Sequence, residues 1–182
     1  MPFKFEKLSI PDVIFIEAKK FEDQRGFFAE LYHCGPFGAA QINEPIKQIN
    51  FSKSQKGVLR GLHYQLNPFA QGKIVRVVSG KIFDVAVDIR KDSATYGKWV
   101  GVELSSDSFN MLYIPKGFAH GFEVLSENAE FEYFCTEIYS QPHERGIIYN
   151  DPDINIKWKT ENPIISEKDL KNPPLKTAEI NF

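Results

Sequence analysis

Cysteine is nearly absent from this chain. Cys34 and Cys135 are the only two in 182 residues, too few for a disulfide framework or a zinc quartet, so two free thiols in a reducing compartment are expected. Methionine is as scarce. No sign of charge dominates: 22 Lys and Arg against 24 Asp and Glu leave a formal net charge of -2. That excludes nucleic-acid recognition by bulk positive charge, while a local basic patch stays open. No apolar run approaches the roughly 20 residues that cross a bilayer. The start MPFKFEKLSIPDV carries charges inside every possible apolar core, so it does not read as a signal peptide. There is no internal repeat, low-complexity tract or Gly/Ser linker. The expectation is one cytoplasmic domain over residues 1–182, with no membrane and no nucleic-acid partner.

What the chain does have is aromatic side chains, 14% of all residues and mostly Phe, within 42% hydrophobic. That is enough apolar material for a core, and aromatics suit pleated, half-buried surfaces. Short alternating segments follow one another: 13–17, 27–32, 47–52, 58–65, 73–79, 81–89, 99–104, 110–114, 120–124 and 130–139 read as strands, and 35–41 as a short helix. Ser79-Gly80 is a hairpin turn, and Pro115-Lys116-Gly117 is another turn. In the strand from Lys81, the residues Ile82, Asp84, Ala86 and Asp88 share one face, while Phe83, Val85, Val87 and Ile89 share the other. Many short strands between turn residues predict an all-β sandwich, jelly roll or barrel. From about residue 150 the chain turns polar and Pro-rich, with Ile154, Ile156 and Trp158 at period two. Ser166 precedes Asp169 by three residues, the spacing of a helix-capping box. This tail is expected to wrap over the barrel.

The four histidines, His33, His63, His120 and His143, include no His-x-His pair, so no metal site is expected. Within Arg60-Gly-Leu-His63-Tyr-Gln65, strand geometry puts Arg60, Leu62 and Tyr64 on one face and Gly61, His63 and Gln65 on the other, unless a bulge at Gly61 re-aims them. Arg25, Arg60, Lys73 and Arg76 could bind a diphosphate, since basic residues inside a small β-domain need a counter-charge. Solvated strand faces with surface ion pairs explain them equally. On the strand from Glu130, Tyr133 and Tyr139 fall on one face. That spacing suits core packing, and it also suits a phenol donating a proton into a cavity with a second ring stacking on a flat ligand.

The segment QINFSKSQKGVLRGLHYQ (48–65) resembles the dTDP-4-dehydrorhamnose 3,5-epimerase family. The similarity runs on through QGKIVRVVSGKIFDVAVDIRKDS (71–93), YGKWVGVELS (96–105) and IPKGFAHGFEVLSENAEF (114–131). It begins with PDVIFIE and FEDQRGFFAE and ends with NDPDINIKW and IISEKD. Nearly the whole length matches, in order.

This resemblance implies a cupin jelly roll without metal or cofactor, normally a homodimer, which inverts C3 and C5 of a dTDP-linked 4-keto-6-deoxy sugar. Both carbons flank the C4 ketone, so their protons are acidic. Inversion needs a base on one face of the sugar and an acid on the other. By resemblance the base is His63, oriented by Asp169, and the acid is Tyr133. Lys73 stabilises the enolate at O4, and His120 lines the sugar pocket. Arg25, Glu30, Gln48, Asn50, Arg60, Glu144 and Lys168 match nucleotide- and diphosphate-binding positions, and Tyr139 matches an aromatic that stacks on the base. In family dimers some ligands come from the neighbouring subunit. Three positions depart from the family pattern: Phe134 for a Lys, Tyr149 for a Trp and Ile49 for an Asp. The competing expectations are a 3- or 5-monoepimerase, a catalytically silent sugar-nucleotide binder and a metal-dependent cupin oxygenase.

Overall fold

A computed structural model describes residues 2–182. Among them the chain forms strands β1 (Phe3–Lys7), β2 (Ile14–Ala18), β3 (Lys20–Asp23), β4 (Gly26–Ala29), β5 (Gln48–Gln55), β6 (Leu59–Gln65) and β7 (Lys73–Ser79). It continues with β8 (Lys81–Asp88), β9 (Trp99–Ser105), β10 (Asn110–Ile114), β11 (Phe118–Val124), β12 (Asn128–Cys135) and β13 (Glu144–Gly146). Two short helices are α1 (Cys34–Ala39) and α2 (Glu167–Leu170). One sheet has the order β1-β2-β10-β7-β12-β5 and the other β13-β6-β11-β8-β9, with β3 and β4 forming a separate hairpin. Two antiparallel sheets facing one another with crossing connections make the jelly roll that was expected.

The alternation along each strand decides what lies between the sheets. Ile82 and Ala86 of β8, Val75 and Val77 of β7, Phe122 of β11 and Phe131 of β12 meet in the central core. The opposite face of β8, Phe83, Val85 and Val87, packs under the C-terminal segment through Ile154, Leu175 and Ile180, with Trp158 alongside. The other sheet's outer face, including Ile74 and Met111, is covered by Phe37 of α1 and Phe3 of β1. Much of each sheet is therefore covered on both faces, with Ile49 and Phe51 of β5 left exposed at one edge, and residues of the segment from about 150 pack on the outward face of β8.

The structure departs from the sequence pattern at three places. Residues 154–158 form no strand despite their period-two pattern. Ile154 is buried by the tail, and the Trp158 indole donates to the Tyr149 carbonyl at 2.9 Å. The strand expected over 130–139 stops at Cys135, so Tyr139 belongs to the following loop and is not aligned with Tyr133 along a strand. β1 was not anticipated, because only Phe3 in FKFEK is buried and the segment lacks a clean apolar alternation.

Candidate active site

β6 supplies the first wall of the site. Its ladder with β11 pairs His63 with His120 and Arg60 with Phe122, with a register shift between them. His120 and Phe122 are two residues apart and share a face, so their partners do too. The bulge thus turns Arg60 to the His63 side, away from the Leu62 face that simple alternation assigns it. Gly61 makes the bulge possible. Its φ is +124°, and an added Cβ would lie 2.6 Å from Gly121 Cα and 2.7 Å from the His120 carbonyl oxygen, so only glycine fits.

Asp169 arrives from the far end of the chain. Ser166 caps α2 by accepting from the Asp169 backbone N–H at 3.1 Å. This is the expected capping interaction, except that the third-position carboxylate does not turn back on the cap. It turns to His63, whose Nε2 lies 2.7 Å from Asp169 Oδ1, while the Gly61 backbone N–H reaches Oδ2 at 3.4 Å. Burial works to raise the Asp169 pKa, but the hydrogen bond and charge of His63 outweigh it and hold the carboxyl below its ordinary value. An ionised Asp169 accepts, so Nε2 carries a hydrogen, and in the neutral imidazole Nδ1 keeps its lone pair.

The facing sheet supplies the second wall. Tyr133 and Cys135 of β12 point inward, with Cys135 opposite Lys73 of β7 in the ladder. Burial pushes the Tyr133 phenol up, with Arg60 partly opposing, so it stays protonated as a donor. Burial pushes the Lys73 ammonium down, opposed by Cys135, Asp84 and Glu144. Asn50, His63, Lys73, Tyr133, Tyr139 and Glu144 are among the side chains around one cleft of about 130 Å³.

The mouth of the cleft is held by side-chain bonds. Glu144 Oε2 accepts from Tyr139 Oη at 2.8 Å and from Lys168 Nζ at 2.7 Å. These bonds outweigh burial and lower the Glu144 pKa. Gln48 donates to Asn50 Oδ1 at 2.8 Å and accepts from the Tyr139 backbone N–H at 2.7 Å. Arg60 donates to Ser54 Oγ at 3.1 Å. Gln65 also matters, though nothing in the sequence reading gave it a role. It donates to the Phe69 and Ile138 carbonyls and accepts from Ser140 N–H, pinning the loop that carries Tyr139. Its place on the His63 face was the available signal.

Not every expected residue joins this group. Arg25 sits in the β3–β4 turn with its guanidinium 2.6 Å from Asp23, and Glu30 follows β4; neither lines the cleft. Arg76 is turned to the opposite face of β7 and bonds Glu132 at 2.8 Å, so it is not part of a diphosphate site in this chain. His120 lies beneath the cleft, buried, with Nε2 2.9 Å from Asp84 Oδ2. Asp84 is a residue whose role the sequence did not disclose, although a carboxylate on the apolar face between Ile82 and Ala86 was the sign of one. Among the described residues, no three His, Cys, Asp or Glu side chains are grouped to hold a metal ion. Among the described residues, no helix is long and apolar enough to cross a membrane.

An imidazole backed by a carboxylate, a protonated phenol on the other wall and a buried ammonium suit proton transfer at carbon beside a carbonyl. Comparison with known proteins agrees. The family model for dTDP-4-dehydrorhamnose 3,5-epimerase matches residues 7–177. The enzyme of that name from Shigella flexneri is 53% identical over 175 residues, covering 95% of this chain and 96% of the relative. The crystal structure of the Sulfolobus tokodaii dTDP-4-dehydrorhamnose 3,5-epimerase superposes with a TM-score of 0.93 at 48% identity, over the full length of both chains. The Legionella pneumophila dTDP-6-deoxy-D-glucose-3,5-epimerase, solved with dTDP-4-keto-L-rhamnose, gives 0.92 at 45% identity, covering 96% and 94% of the two chains. The jelly roll is accordingly of the cupin type, and with sequence, fold and cleft in agreement the chain belongs to the dTDP-4-dehydrorhamnose 3,5-epimerase family.

Proposed function

We propose that the chain inverts C3 and C5 of dTDP-4-keto-6-deoxy-D-glucose, giving dTDP-4-keto-L-rhamnose for dTDP-L-rhamnose biosynthesis. The observation that carries this reading is the Asp169-backed His63 on one wall of a cleft whose other wall presents the buried Tyr133 phenol. His63 Nδ1 removes the proton from C3, and the C–H electron pair moves into the ring to leave an enolate with its charge on O4. Lys73 stabilises that oxygen. Tyr133 returns a proton to C3 from the other face, and the same exchange at C5 completes the double inversion.

His120 supports the sugar from below. Gln48, Asn50, Arg60, Glu144 and Lys168 receive the nucleotide and diphosphate, with Tyr139 stacking on the base. Arg25 and Glu30 complete the site of a second copy in a homodimer. In support, β3 and β4 form a lone hairpin that leaves Phe21, Phe27 and Phe28 about half exposed or more, and an isolated hairpin with that surface is marginal by itself. The chain acts as one domain. Two free thiols, Cys34 exposed and Cys135 buried, suit a reducing cytoplasm.

The test is deuterium wash-in from heavy water with dTDP- and GDP-linked 4-keto-6-deoxy sugars side by side. Incorporation at both C3 and C5 of the dTDP sugar is the expected result. Incorporation at one carbon makes the protein a monoepimerase, and binding without incorporation makes it a silent sugar-nucleotide binder.

A further inference from the structure

Asp84 is a fully buried carboxylate whose two oxygens are treated unequally. Oδ2 is 2.9 Å from His120 Nε2, whereas Oδ1 is buried with no hydrogen-bond donor among the described residues. A carboxylate oxygen sealed from water without a donor is costly, so its retention on an apolar face calls for a reason. Lys73 is its counterpart. The lysine is buried, and among the described residues its ammonium makes no hydrogen bond or ion pair with the protein. Both side chains point into the space between the sheets, Lys73 in line with Val75 and Val77, and Asp84 between Ile82 and Ala86.

We propose that Asp84 is a positioning residue for the reaction, the counter-ion that keeps Lys73 protonated and aimed into the cleft while His120 anchors the carboxylate in place. The O4 part of this idea rests on the epimerase reading; the pairing of the two charges does not. Burial alone drives each group towards neutrality, Lys73 downward and Asp84 upward, and each is an opposing charge for the other.

The remaining groups that face Lys73 do not replace Asp84. On β12, burial pushes the Cys135 thiol up, so it stays uncharged, and the Tyr133 phenol behaves likewise. Glu144 of β13 acts on Lys73 less strongly than Asp84 does and is engaged by Lys168 and Tyr139. On β6, His63 is tied to Asp169, and Arg60 carries the wrong sign. On β11, His120 is kept neutral by burial. Asp84 is therefore the carboxylate left to balance the ammonium. When charge builds on O4, the ammonium is offered a second anion in a site that already holds it charged, with no proton to fetch at the moment of reaction.

The test is Asp84→Asn, which keeps the shape and removes the charge. Two readouts are used: kcat and KM across pH, and competitive acetylation of Lys73 across pH in the substrate-free enzyme. Expected are a fall in kcat of about tenfold or more with little change in KM, a high-pH limb of kcat/KM moved to lower pH, and Lys73 reacting as free amine at lower pH than in the wild type. A merely structural role for Asp84 leaves the limb and the acetylation profile where they were, and that result overturns the proposal. If the single variant folds poorly, thermal unfolding of Lys73→Met and of Lys73→Met/Asp84→Asn decides. Lys73→Met alone strands a buried carboxylate, so the double variant should melt higher than Lys73→Met; a double variant that melts lower, by the summed losses, overturns the pairing. A wild type without wash-in, but with the Lys73 acetylation shift intact in Asp84→Asn, removes the epimerase reading and leaves the charge pairing standing.

Discussion

Two histidine–aspartate pairs lie side by side in this molecule, His63 and His120 being direct cross-strand partners. Their contact distances barely differ, 2.7 Å for His63–Asp169 and 2.9 Å for His120–Asp84. Their surroundings do. The His63 side chain is 34% exposed and borders the cleft, whereas that of His120 is 8% exposed and Asp84 is sealed completely. Access therefore separates an imidazole able to exchange a proton with a ligand from one fixed in the floor. The electrostatics diverge accordingly: Asp169 is held below its ordinary pKa by His63, while burial raises Asp84.

The harshest way to break the comparison is to remove the exposed imidazole. His63→Ala should lower deuterium wash-in by about 10³-fold, and unchanged wash-in would refute its assignment as the base. Asp169→Asn should cost about 10²-fold or more in kcat, because an amide no longer enforces the tautomer with Nδ1 free. Tyr133→Phe sharpens the division of labour. NMR should show deuterium entering C3 with configuration retained, since the base still works from its own side; efficient inversion by this variant would take the acid role away from Tyr133.

The buried pair should respond in stability. His120→Leu removes the hydrogen-bond donor that Asp84 has and should cost about 3 kcal/mol in urea unfolding, more than the same measurement gives for His63→Ala, where the Gly61 N–H still reaches Asp169. The gentlest test follows pH. A depressed carboxylate pKa adds stability that is present above the unfolded value near 3.9 and lost as pH falls through the folded value. A raised one works in the opposite sense, its contribution being lost as pH rises through the folded value. Between about pH 3 and 7, the stability gap between wild type and Asp169→Asn should widen in favour of the wild type. The corresponding gap for Asp84→Asn should move the other way.

How far the sequence disclosed all this depends on distance along the chain. Faces within one strand were readable: Ile82, Asp84 and Ala86 do point inward, and Phe83, Val85 and Val87 outward, because period two is a local property. The Ser166 cap was equally local. The His63–Asp169 contact joins residues 106 positions apart, and no periodicity reports such a meeting; family resemblance suggested it. Arg60 shows a subtler limit. Alternation put it opposite His63, and one bulge at Gly61 brought it round. Arg76 erred for the reverse reason: proximity in sequence to Lys73 suggested a shared task, although a separation of three sends the two side chains to opposite faces of β7. Asp84 was assigned to its face, but its bond to His120 depends on how β8 and β11 are set against each other, which one strand's pattern cannot specify.

The cap on α2 has a consequence for synthesis on the ribosome. Every strand of both sheets is complete by Gly146, twenty residues before Ser166 fixes the short helix that delivers Asp169. A nascent chain interrupted in that interval contains every strand, but the segment that covers the outward face of β8 is incomplete and His63 lacks its carboxylate. The His63–Asp169 pair thus forms only once the α2 segment has been made, so deuterium wash-in would separate chains that reach Asp169 from chains stopped before it.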